Sequence, residues 1–205
     1  MDENKKHWYD GWFYDVFIAP NQDRLFRKIS NYIEADSEII DVGCGTGRFS
    51  FFIADKCKSV LGIDISEKNI NRADRNLSRD HRKNISFRHI SLHRIISERK
   101  EPFDYAVMTY VLHEIDAVER VKHLKEMSEI ANKIIIGDYV YPGNSGFWNL
   151  LNEVVEFAAG RDHYKNYKSF LANGGINKIA SEAGLKIIFE HRNHPTTSHL
   201  VMLSK

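Results

Sequence analysis

Only two cysteines, Cys44 and Cys57, occur in the 205 residues. One sits inside a glycine-rich run and the other ten residues beyond it, so they offer neither a disulfide framework nor metal-ligand spacing. No apolar run approaches the ~20 residues of a membrane span. The N-terminus leads from charged residues into Trp8, Tyr9 and Trp12 instead of an aliphatic leader core. Reduced thiols without a span or leader predict a soluble, cytoplasmic protein. Charge of neither sign dominates, since 29 lysines and arginines face 28 acids for a net +1, and no broad field would hold a polyanion. Nucleic acid is therefore disfavoured as a partner. The basic stretch from Arg72 to Arg99 is interspersed with acids and has little aromatic content besides Phe87, which reads as a solvated face. The ten histidines are scattered without an H-E-x-x-H pair, and no metal is expected.

Helical spacing comes first along the chain. Apolar positions from Trp8 to Ile33 recur at three- and four-residue steps, with Pro20 separating a short aromatic helix from a second one. Five β-rich runs follow, at 38–42, 59–63, 85–89, 105–109 and 133–137. Helices are predicted over 48–55, 67–77 and 117–131, whereas 92–102 is too short and charged to read as one. Strands alternating with helices imply parallel βαβ units, and Ile134-Ile135-Ile136 suits a sheet covered on both faces. After Asp138 a turn-rich segment and an apolar helical stretch from Phe147 to Ala158 suggest an inserted cap. A helix to about Ala183 with Gly184 as its C-cap, then strands at 185–191 and 198–203, close the chain. At 42% apolar content the length supports one domain, 1–205, with a lid and first helices over 1–34 and a cap over 139–173.

The most informative segment is Ile39-Ile40-Asp41-Val42-Gly43-Cys44-Gly45-Thr46-Gly47. A strand running into closely spaced glycines before a helix lets a ligand lie against bare backbone. Asp64 follows Gly43 by 21 residues, at the end of the second strand, where a carboxylate can accept ribose hydroxyls. A helix cap beside Ser66 is the plainer role for it. Arg48 stands where a dinucleotide fingerprint requires its third glycine, and the G-x-x-x-x-G-K-[ST] pattern is absent, so a nicotinamide-dependent oxidoreductase is the less favoured reading. A ligand with an ammonium and a sulfonium in place of phosphates would tolerate Asp41 beside the loop.

D-V-G-C-G-T-G followed by L-G-I-D-I-S resembles the class I S-adenosylmethionine-dependent methyltransferases, a likeness that extends from about Ile39 to Lys205 through F-D-Y-A-V and L-H-E-I. The resemblance implies an α/β, Rossmann-like three-layer sandwich: a seven-stranded, mostly parallel sheet with an antiparallel last strand and a small helical cap. It implies S-adenosylmethionine as cofactor. Gly43, Cys44, Gly45 and Gly47 would line its methionine part, with Asp41 beside them, Asp64 its ribose and Ile65 one face of the adenine. Ser91, followed by Leu92, stands where the family often has an adenine-binding aspartate. A hydroxyl can accept there, but without charge.

Ligands of parallel sheets lie beyond the carboxyl ends of the strands, an edge that here carries Thr109, Tyr110, His113, Glu114, Asp138, Tyr139 and Tyr141. Thr109 and Tyr110 are further cofactor candidates, and Tyr14 on the aromatic first helix could fold over the donor as a lid. His113 is the candidate general base, because a pKa of about 6.5 is ordinary for imidazole. Tyr139, Arg161, His163 and Tyr164 are candidates for binding a small-molecule acceptor, Arg161 by forking onto a carboxylate. A regulatory protein that binds S-adenosylmethionine without turnover is the alternative. Nothing in the sequence bears on oligomeric state.

Overall fold

A computed structural model describes residues 19–140, 157, 160–192 and 198–205. The aromatic first helix with Tyr9 and Tyr14, the residue Tyr141, the Phe147–Ala158 helix except Phe157, and the return at 193–197 lie outside the described residues.

The strands are β1 (Glu38–Val42), β2 (Ser59–Asp64), β3 (Ile85–His89), β4 (Phe103–Thr109), β5 (Ala131–Tyr139), β6 (Lys186–Arg192) and β7 (Ser198–Ser204). They form one sheet in the order β3-β2-β1-β4-β5-β7-β6. β1 pairs in parallel with β2 and β4, and only β7 runs against its neighbours. Alternate residues of each strand face opposite sides, and this divides the core. Ile135, with Ile39 and Val107, packs against α1 (Ala19–Tyr32), α2 (Arg48–Ile53) and α3 (Glu67–Leu77). Ile134 and Ile136 face the other way, onto α4 (Leu92–Glu98), α5 (Arg120–Ile130), α6 (Arg161–Ala172) and α7 (Gly175–Glu182). Those are the three layers expected.

α4 corrects the sequence reading of 92–102. Leu92 and Ile95 are both buried in the core, and removing each from water contributes about 1.5–3 kcal/mol, enough to organise a seven-residue helix that also carries His93, Arg94, Ser97 and Glu98. The polar and aromatic residues at 161–167 form the start of α6, whose Tyr167 and Phe170 are buried. β4 and β5 exceed the predicted runs because each has a partner to extend along: Phe103 pairs with Ala131, and Tyr139 with Ser198. α7 ends as foreseen. Gly184, at φ +74°, donates to Ser181 O and Leu185 N donates to Ala180 O, a Schellman closure. Among the described residues no helix is long and apolar enough to cross a membrane.

Candidate active site

The chain reverses between β1 and α2 in a turn that only glycine tolerates. Gly43, Gly45 and Gly47 all have positive φ, and a Cβ on Gly47 would lie 2.4 Å from Phe87 Cζ. The loop is braced from within: Gly43 N and Cys44 N donate to Ile63 O, Gly47 N to Cys44 O, and Gly45 N to Asp64 Oδ2 at 2.8 Å. Four of its amides are thus consumed by the protein. It is not a nest of free donors for phosphate, and the polar ends of a ligand must be met elsewhere.

Two carboxylates meet that need. Asp64 accepts from Gly45 N and from Ser66 N (2.7 Å), one bond per oxygen, which holds it at the cleft and leaves each oxygen capacity for a hydroxyl. The cap of α3 is Ser66, whose Oγ accepts from Asn69 N, so Asp64 is relieved of the plainer role. Asp41 lies fully buried under the loop. Ser50 Oγ donates to its Oδ2 at 2.6 Å, while Oδ1 has no hydrogen-bond partner among the described residues. Burial pushes the carboxyl up to about 7, the Ser50 hydroxyl opposes this, and the nearby Asp64 charge adds to it. An orphaned buried carboxylate oxygen beside a phosphate-averse turn fits the ammonium of an amino-acid moiety. Arg48 is no donor to the loop: its guanidinium binds Gln22 Oε1 and Asp23 Oδ1 and clamps α1 against α2.

Gly43, Cys44, Gly45, Thr46, Asp64, Ile65, Ser91, Leu92, Thr109 and Tyr110 line one cleft of about 1590 Å³ beyond the carboxyl ends of β1, β2 and β4, whereas Asp41, beneath the turn, and Gly47 are not on its lining. Ile65, on the cleft lining, is 78% exposed and leaves an apolar face open to an aromatic ring. His89 Nε2 contacts its carbonyl at 3.0 Å. Ser91 opens α4 through its backbone carbonyl, and its hydroxyl makes no capping bond. Cys44 and Cys57 are free, buried thiols, both raised by burial.

The acceptor candidates divide. Glu114 and His163 line the cleft, with His163 Nδ1 and Glu114 Oε1 4.0 Å apart. His113, Tyr139, Arg161 and Tyr164 are not on its described lining. His113 is buried behind Glu114, its Nε2 3.9 Å from Glu114 Oε1 and its Nδ1 2.7 Å from Asp138 Oδ1. Asp138 also accepts from His113 N and Tyr139 N, so it acts as acceptor throughout and the proton between them belongs on Nδ1. The Tyr139 ring fills the space among Tyr110, His113 and Tyr167. Arg161 is exposed at the start of α6, and Tyr164 meets Phe157 edge-to-face.

Two residues escaped the sequence reading. The buried Arg120 donates to the carbonyls of Ile115, His113 and Asn166, and Asn166 Nδ2 bonds Glu114 O and Asp116 Oδ1. Together they stitch α6 to the β4–α5 loop, and no local pattern announces such a bond between segments so distant in sequence. His89 and His93 stand four residues apart but on β3 and α4, and His93 Nδ1 pairs with Glu126. Among the described residues no group of three or more His, Cys, Asp or Glu is placed to hold a metal.

A family described as a methyltransferase domain matches residues 39–133. The mitochondrial ubiquinone biosynthesis O-methyltransferase of Homo sapiens is 35% identical over 185 residues, 86% of this chain and 47% of that protein. An uncharacterized RNA methyltransferase of Mycoplasma mobile is 28% identical over 103 residues, 49% of this chain and 28% of the relative. The chain spans less than half the length of either. Among solved structures, magnesium protoporphyrin IX methyltransferase from Synechocystis PCC 6803 with bound S-adenosylhomocysteine shares the fold, with a TM-score of 0.67 at 17% identity over 96% of this chain and 90% of that one.

Proposed function

From the premise that this chain belongs to the class I S-adenosylmethionine-dependent methyltransferases, we propose that it transfers a methyl group from that donor to a small-molecule acceptor. The observation that carries the reading is the continuity of the cleft. It runs from Asp64 and the glycine loop to Glu114 and His163, and its volume of about 1590 Å³ exceeds the ~300–1000 Å³ usual for one ligand. Bound there, the sulfonium supplies an already activated methyl group, so positioning can provide much of the acceleration. Asp64 holds the ribose end of the donor, Asp41 beneath the turn offers its orphaned oxygen toward the ammonium end, and Ile65, Ser91 and Leu92 border the adenine. Glu114 and His163 receive the acceptor. His113, oriented by Asp138, backs Glu114 from behind, a positioning role in place of the direct contact expected from sequence. Tyr139 packs behind this wall against His113 and Tyr167, and Arg161 and Tyr164 lie outside the cleft lining.

A nucleic-acid acceptor is the second reading, supported by the likeness to the RNA methyltransferase of Mycoplasma mobile. Two measurements test the proposal. Calorimetry on Asp64→Ala should show most S-adenosylhomocysteine affinity lost, and unchanged affinity refutes the ribose assignment. Full-length protein given methyl-labelled donor and a cell extract should label material below about 1 kDa, a size set by the cleft volume. Label confined to RNA establishes the second reading, and tight donor binding with no transfer to any fraction establishes a regulatory protein.

A further inference from the structure

Four cations of the cleft wall stand apart from the others. Lys68, Arg72 and Arg75 on α3, and Arg79 in the turn just beyond it, recur at steps of four, three and four residues and all line the cleft that holds the glycine loop. This spacing puts them in one row, about 16 Å long at 1.5 Å per residue. Other basic residues at the cleft have carboxylate partners: Arg48 pairs with Asp23 and Lys122 with Glu119. Among the described residues none of the four is in an ion pair, and Arg75 only folds back on Asn71 O. The chain has enough acid to neutralise them, at 28 residues against 29 basic ones, and Glu67 and Asp74 sit on the same helix without doing so. Like charges at these spacings repel along the helix face. A row of repelling, unneutralised cations bordering a cleft larger than its donor needs is an arrangement completed by an anion.

We propose that this row binds a phosphate-bearing tail of the acceptor, so that the substrate is a small molecule carrying two or more phosphates in series. This rests on the small-acceptor reading and narrows it. Arginine forks onto phosphate oxygens, and a row engages several phosphates of one flexible chain at once. Among the described residues the row has no exposed aromatic ring beside it on which successive bases would stack, Phe87 being buried, and this favours a phosphate tail over a nucleic-acid strand.

The test is calorimetric titration of the full chain, saturated with S-adenosylhomocysteine, with sodium tripolyphosphate and separately with decauridylate, across a salt series. The variants are Arg75→Glu/Arg79→Glu and the milder Arg75→Gln/Arg79→Gln, with S-adenosylhomocysteine affinity as the control for folding. Tripolyphosphate should bind the unaltered protein, weaken as salt rises, and lose at least tenfold in affinity in the Glu variant and less in the Gln variant. S-adenosylhomocysteine affinity should stay within twofold. Absence of tripolyphosphate binding at 50 mM salt, or equal binding by all three proteins, overturns the proposal. Decauridylate bound tightly with a salt slope near −3, about four phosphates at ~0.7 each, while tripolyphosphate is ignored, assigns the row to a strand and also overturns it. Failure of S-adenosylhomocysteine to bind the unaltered protein would instead strike the donor assignment.

Discussion

Asp41→Asn isolates the energetic cost of keeping an acid beneath the glycine loop. The carboxyl is fully buried and its pKa rises from 3.8 to about 7. At 1.36 kcal/mol per unit, a rise of about three units means that ionising Asp41 costs the folded protein about 4 kcal/mol. The sign follows from proton counting. Between pH 4 and 7 the folded state holds a proton that the unfolded state has released, so this contribution is fully present below about pH 4. It is lost as pH rises through about 7. Denaturant unfolding from pH 4 to 8 should show wild type losing up to about 4 kcal/mol relative to Asp41→Asn, whose neutral amide keeps a contact for Ser50 without a charge to desolvate. A ligand ammonium near Asp41 should pull the proton off. At pH 6 a group of pKa about 7 is about 0.9 protonated, so S-adenosylhomocysteine should release close to one proton on binding. Calorimetry in buffers of different ionisation enthalpy measures that number directly. Parallel stability curves for the two proteins, or binding without proton release, would refute both the raised pKa and the placing of the ammonium.

Two further outcomes separate fold from site. Gly47→Ala combines a left-handed φ of +84° with a Cβ 2.4 Å from Phe87 Cζ, and should cost about 2–5 kcal/mol. At about 2–4 °C per kcal/mol its Tm should fall by at least 4 °C, and an unchanged melting curve would show that the turn relaxes freely. Ile65→Ser removes a side chain that is 78% exposed, so stability should move by less than about 0.5 kcal/mol. S-adenosylhomocysteine affinity should nevertheless fall about tenfold through lost apolar contact, and a loss of stability in place of affinity would mean that Ile65 packs on protein instead of adenine.

Local physics made part of this molecule readable in advance. β1, the glycine turn and α2 follow from strand periodicity broken by residues able to take positive φ, and β2 placed Asp64 by simple length. α4 was missed because its stability resides in Leu92 and Ile95 meeting the core, and charge within the segment conceals that. The start of α6 was open for the same reason, since polar and aromatic residues of a half-buried helix look like a loop until Tyr167 and Phe170 are seen beneath it. His113 was correctly placed at the end of β4 but not its orientation, because which way a loop residue turns depends on Asp138 at 2.7 Å.

The sequence by itself determined the glycine turn, Asp41 at the end of β1 and Asp64 at the end of β2, all set by bond rotation and element length over a few dozen residues. Tertiary structure alone decided the opposite wall of the cleft. Glu114 and His163 lie 49 residues apart and meet on one wall only because Arg120 and Asn166 tie α6 to the β4–α5 loop. The row from Lys68 to Arg79 borders that same space because α3 buries its opposite side, Ile70 and Ala73, against the sheet. Such encounters are settled by packing and burial, which couple distant segments and leave no period in the chain.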